Sequence, residues 1–219
     1  MACEGVSFEP VEGPSDPERS QGLYVDAPGI WHQETISVCW NNFDAQHPEV
    51  HQWVKMAAED SWSFVANVRF VGWDKCGLLG ADVQITVGDD LHPAVVRGLE
   101  ALLGTTMRLN FKQEAGYCGT GHPEETYRTC MEAIAIHEFG HILAFAHEQN
   151  RPDTPATCNR APQGSNGTET YGDWDADSIM NYCNSNSRAH PWLSESDIEG
   201  AQKYYGTGPR YLAAIGTIL

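Results

Sequence analysis

The chain has 219 residues, of which 41% are hydrophobic and 20% charged, and it carries a formal net charge of −17. That length is enough for one large domain or two small lobes with a core of their own. The acidic balance argues against nucleic acid or an anionic membrane as partner, because both need Lys/Arg clusters, and no run approaches the roughly 18 continuous apolar residues of a membrane span.

Residues 1–30 are rich in Pro, Gly, Glu and Ser, with Pro10, Pro14, Pro17 and Pro28. They read as an N-terminal arm without a core, serving as a surface strap, a linker or a propeptide remnant. Thr35 to Trp40 alternates and is β-branched, which predicts a strand. Pro48 then opens a helix, with Asp44 or His47 near its cap and an apolar stripe through Val50, Trp53, Val54, Ala57, Ala58, Trp62 and Val65. His47 and His51 share one face of that helix but lack a third partner, and they read as surface histidines. Further strands are expected over 68–73, 81–87 and 105–111, while 94–103 reads as a short helix or a covering loop.

The seven cysteines, Cys3, Cys39, Cys76, Cys118, Cys130, Cys158 and Cys183, form no C-x-x-C pair. A cysteine metal site or redox motif is therefore not expected, and scattered cysteines favour an oxidising, extracellular compartment. Closeness in sequence suggests the pairs Cys118–Cys130 and Cys158–Cys183, with Cys3 left over.

The stretch Thr129 to Asp153, TCMEAIAIHEFGHILAFAHEQNRPD, carries the chemistry. Thr129 and Glu132 have the spacing of a capping box and predict the start of an apolar helix. His137 and His141 lie four apart, so both imidazoles point to one side of that helix and can grip one metal ion. Glu138 sits beside them, placed to take a proton from water on the metal. His147 lies about 240° round from His141 if the helix continues. The helix must therefore end near Ala144 and the chain must turn back. Beyond Asp153, Gly, Asn, Ser and Thr dominate 154–190, and Asp173, Asp175 and Asp177 read as loop residues because the Gly and terminal Glu of a calcium loop are missing. Ser194 caps a last helix that runs to about Tyr205, with Asp197 at its third position.

His137-Glu138-Phe139-Gly140-His141 through Asp153 resembles the zinc motif of the astacin metalloproteases, in the metzincin clan. The family pattern H-E-x-x-H-x-x-G-F-x-H-E-x-x-R-x-D is matched at His137, Glu138, His141, Phe145, His147, Glu148, Arg151 and Asp153 and departs at Ala144, where the family has Gly. Asp175, Ser178, Met180 and Tyr182 resemble the family's D-x-x-S-x-M-H-Y segment, with Asn181 in place of His. Leu193-Ser194 and Asp197-Ile198 resemble its L-S-x-x-D-I segment. The resemblance spans 129–205, extends over 31–128 by element order, and is absent from 1–30.

The resemblance implies an α+β, zincin-like fold of two lobes. A mixed twisted sheet and two long helices lie above the cleft, with an irregular lower lobe and a C-terminal helix below. It implies a catalytic domain over 31–219, divided at about 147/148. The implied function is a secreted, monomeric zinc endopeptidase acting on protein or peptide substrates. One Zn2+ per chain would be held by His137, His141 and His147, with Glu138 as general base and Tyr182 as a hydroxyl near the metal. Met180 packs beneath the histidines in such enzymes, and Glu148 meets the freed N-terminus of the mature chain. The rivals are another metzincin-type peptidase, an exopeptidase on the same site, or a latent or inactive zinc-binding member used for binding. Ala144 is expected at positive φ, carrying the strain that glycine avoids.

Overall fold

A computed structural model describes residues 22–88, 92–96, 105–111, 124–184 and 191–217. Its centre is a five-stranded mixed sheet of β2 (Thr35–Trp40), β3 (Arg69–Lys75), β4 (Val83–Val87), β5 (Ala94–Val96) and β6 (Thr105–Leu109), in the order β3-β2-β4-β6-β5. Four of these strands run parallel and β5 joins the edge antiparallel to β6. The strands alternate: Ile36, Val38, Val83, Ile85, Met107 and Leu109 are all within 1% of full burial, while Ser37, Gln84 and Thr106 between them are half-buried and Arg108 is exposed, so one face of the sheet carries the core. At Ala94–Val96 a strand stands where a helix or covering loop over 94–103 was expected; residues 97–103 lie outside the described residues. Three residues hold too little pattern to predict a strand, and this one exists through its pairing with Thr106, Met107 and Arg108.

Helix α1 (Pro48–Asp60) opens on Pro48 as expected, but it stops at Ser61 and a separate turn, α2 (Trp62–Val65), follows. Helix α3 (Glu124–Ile142) runs past α1 through the core. It begins well before Thr129, so that residue is helix interior and the capping-box prediction fails. His51 is also a correction. It is buried at 6% exposure, stacked on Phe43 and enclosed by Trp40 and Phe111, with its Nε2 accepting from the Asp44 amide. Its neighbour His47 stays near the surface and pairs with Asp44.

A second, two-stranded sheet joins β1 (Leu23–Val25) to β7 (Glu169–Tyr171), antiparallel. Thus Leu23 and Val25, inside the stretch read as a coreless arm, are fully buried, and Val25 bridges to Phe145 at the end of α3. Residues 1–21, including Cys3, lie outside the described residues. The last helices are α4 (Glu195–Tyr205) and α5 (Pro209–Gly216). Helix α4 starts on a complete capping box, Ser194 with Asp197, as the sequence predicts. Disulfides join Cys39 to Cys76 and Cys158 to Cys183, the second as expected from sequence; the Cys118–Cys130 pairing lies outside the described residues. Among the described residues no helix is long and apolar enough to cross a membrane.

Candidate metal centre

The site is built where α3 ends. The Phe145 amide donates to the Gly140 carbonyl and the Ala144 amide to the His141 carbonyl, both at 3.0 Å. This pair of bonds is a Schellman closure, which requires a left-handed residue just past the helix. That residue is Ala144, at φ 72°. Two side chains from distant parts of the chain satisfy the next carbonyls. The Trp31 indole donates to Ile142 O at 2.7 Å and the Tyr205 hydroxyl to Leu143 O at 2.8 Å. Residues 144–146 then run alongside β1, with Asp26 N donating to Ala144 O and Ala146 N to Tyr24 O. This course brings His147 back toward the helix it has left.

His137, His141 and His147 thereby converge, with their ligand atoms all within 4.8 Å of one another. The Nδ1 of His137 lies 2.8 Å from Ile179 O, that of His141 2.7 Å from Phe145 O, and that of His147 2.8 Å from Gln163 O. A carbonyl oxygen only accepts, so each Nδ1 carries a proton and donates it. In the neutral rings this makes the three Nε2 atoms the acceptor ends. They face each other at 3.1 Å, His137 to His147 and His141 to His147, an arrangement that could hold a metal ion. Three imidazoles on a tetrahedral zinc at about 2.0–2.1 Å place their nitrogens about 3.3 Å apart, so the donor set fits such an ion. The carbonyl partners fix tautomer and ring orientation, as the outer shell of a metal site does.

Glu138 is 3% exposed, and its Oε2 has no hydrogen-bond partner among the described residues. Burial pushes its carboxyl up to about 8. A cation at the neighbouring imidazoles would draw that value back down. Tyr182 is half-buried, with its ring centroid 4.4 Å from that of His147 and stacked 5.3 Å from that of His137. Its amide donates to Gln149 Oε1.

Met180 is fully buried beneath α3, where a Cβ on Gly140 would collide with its Sδ and reach Trp62 at 3.1 Å. Gly140 therefore permits the close approach of the Met180 turn to the helix segment between the two first histidines. Glu148 is fully buried too. It accepts from the Asp175 amide and faces Arg151 at 3.3 Å, while its Oε2 has no partner among the described residues. Burial pushes it up to about 8 against the pull of Arg151. Arg151 forks onto Asp153 and reaches the carbonyls of Tyr171 and Gly172, which ties the third-histidine turn to β7. Asp175 takes the Ser194 and Ser196 hydroxyls, so it is a structural hub and not a cation ligand.

An open cleft of about 890 Å³ includes His141 and His147 in its lining, together with Pro93 to Val95, Ala144 to Ala146 and Gln163 to Ser165. Glu138, His141 and Tyr182 face into it, as do Trp31 and His32. The structure brings His137, His141, His147, Glu138 and Tyr182, the residues nominated from sequence, close to one another. Sequence reasoning misses the supports Trp31, Tyr205 and Gln163, which carry no local signal because their partners are distant in sequence.

The fold is similar to that of myroilysin. One solved structure of that protein matches with a TM-score of 0.60 at 22% identity, covering 83% of this chain and 97% of that one. A second matches with a TM-score of 0.54 at 19% identity, covering 84% of this chain and 88% of that one. At such identities the likeness concerns the fold alone. No protein-family model matches the chain, and no curated protein matches it in sequence.

Proposed function

We propose that the protein is a secreted zinc endopeptidase of the astacin type, with residues 31–219 as a two-lobed metzincin catalytic domain divided near His147 and residues 1–30 as an arm leading into it. The observation that carries the reading is the convergence of three Nε2 atoms, each ring braced by a carbonyl at Nδ1, beside a buried carboxylate that lines an open cleft. His137, His141 and His147 would hold one zinc ion. When bound, zinc acidifies a coordinated water and polarises the carbonyl of the scissile peptide bond.

The chain's own groups do the rest. The unpartnered Glu138 Oε2 takes the proton of the attacking water and returns it to the leaving amine. Burial raises this group and a dication on the histidines would lower it, which suits a group that must both accept and release a proton near neutral pH. The Tyr182 hydroxyl donates to the oxyanion that develops during attack. Met180 and Gly140 keep the helix floor rigid beneath the ligands. Peptide substrates lie in the cleft as extended chains, and the enzyme works as a monomer with disulfides formed in an oxidising compartment.

The test is metal content together with cleavage of an unfolded protein. About one zinc per chain and chelator-sensitive cleavage at internal bonds are expected. Zinc bound without cleavage would make the protein a binding member of the fold, and release of terminal residues alone would make it an exopeptidase.

A further inference from the structure

We propose that Asn150 is a positioning residue for the metal centre, acting through Gln163 on the third histidine; this rests on the reading of the centre as a zinc site. The irregular segment around 159–167 has no regular secondary structure up to the Thr168 side, yet the carbonyl of Gln163 is what holds the His147 ring. A carbonyl on such a segment must itself be held in place to orient a ligand. Asn150 does this with both ends of its amide. Its Nδ2 donates to Gln163 O at 2.7 Å, and its Oδ1 accepts from Gln163 N at 3.0 Å. The side chain thus imitates a neighbouring β-strand and holds one residue by both its backbone amide and its backbone carbonyl. The same Nδ2 also lies 3.5 Å from Ser165 O.

Two further facts fix the direction of the effect. Asn150 closes the single 3-10 turn that starts directly after His147, with its amide bonded to His147 O at 3.0 Å. The clamp is therefore anchored to the ligand's own backbone. Gly164, the next residue after the clamped carbonyl, stands at φ +65°, with the His147 ring 3.5 Å from where its Cβ would be. The segment therefore leaves the clamp through a conformation that glycine adopts freely, passing edge-on beneath the imidazole. Gln163, Gly164 and Ser165 also line the cleft, so one amide sets both the third ligand and the lower rim beside it.

The test uses the full chain and reads zinc affinity, not activity alone. Asn150→Ala removes the clamp. Asn150→Asp keeps the shape and the acceptor for Gln163 N but sets an oxygen against Gln163 O. Both are compared with the parent by competition of the metal-free protein against a zinc chelator, and by the thermal midpoint of the metal-free protein. The expected result is a zinc dissociation constant raised about tenfold in both variants, the lower end of what outer-shell partners contribute, with the metal-free midpoint little changed. A constant within about twofold of the parent overturns the proposal. So does a loss of affinity that appears only in step with a lowered metal-free midpoint, because that marks a purely structural role. If Asn150→Ala does not fold, the isosteric Asn150→Asp decides. A parent that binds no zinc at all overturns the metal reading and the positioning role together.

Discussion

At the scale of single residues, two groups in this centre are held against their own preferences. Glu138 is a buried carboxylate with an oxygen that no described protein group satisfies. An unmet buried acceptor is costly unless it serves a purpose. Glu138→Gln keeps the volume and removes the basicity. It is expected to leave fold and metal content intact while turnover falls by about 10²–10⁴-fold, measured as steady-state cleavage with zinc content determined on the same sample. Ala144 is the second group. Its φ of 72° puts a Cβ in the left-handed region, at a cost of roughly 1–2 kcal/mol. Ala144→Gly relieves that strain but adds backbone entropy to the unfolded chain, at roughly 0.5–1 kcal/mol. The expected net effect is a modest rise in unfolding midpoint, or none, with zinc present. A clear fall would show that the turn does not carry strain. Glu138 is legible from its place beside the paired histidines, and helix geometry demands that the helix end near Ala144; the positive φ of Ala144 is expected only from the resemblance, whose pattern has glycine there.

At the scale of elements, Asp197 links the Met180 turn to α4. It is fully buried, takes the Ser178 hydroxyl and the amides of Ile179 and Ser194, and completes the capping box. Burial outweighs those donors and pushes its carboxyl up to about 6. A raised folded-state value means that the protonated form is favoured in the fold. The stability from this group is thus complete below about pH 3.8, its ordinary value, and is lost as pH rises through about 6. Asp197→Asn is expected to flatten the dependence of the thermal midpoint on pH between about 4 and 6. Unchanged steepness in that window would assign the dependence to other groups. The elements that the sequence predicts well are those whose signal is local, such as the alternation in β2 and β4, Pro48 at the start of α1, and Ser194 with Asp197 at α4. Those it misses are held from outside. The three-residue β1, β5 and β7 exist through partners far along the chain. His51 is buried because Trp40, Phe43 and Phe111 close over it, which no helical periodicity around residue 51 could report. Thr129 has the spacing of a cap, yet five residues upstream of it already belong to α3, showing that a short motif yields to tertiary packing.

At the scale of the whole molecule, the metal is expected to act as a stabilising ligand. The three Nε2 atoms are gathered only in the folded chain, so binding favours it over the unfolded chain by RT ln(1 + [L]/Kd), about 2.7 kcal/mol at a hundredfold excess over Kd. For a domain of this size that corresponds to a rise of roughly 5–10 °C in the midpoint. Removing the metal with a chelator should lower the midpoint by that order and abolish cleavage, and restored zinc should return both. A midpoint indifferent to chelator and zinc would mean that the three imidazoles do not hold an ion. The net charge of −17 sits outside this account, as a property of the surface that favours solubility.

The ligands themselves come from eleven consecutive residues, 137–147, but the groups that hold their turn in shape do not. Trp31 lies 111 positions before the carbonyl it caps, Tyr205 lies 62 positions after its own, and Ile179 lies 42 beyond the His137 ring that it orients. A chain made from its N-terminus exposes the whole ligand motif long before the last of these supports has emerged. The shape of this turn therefore depends on groups spread from Trp31 to Tyr205, and its bracing is complete only once the chain through Tyr205 has been made.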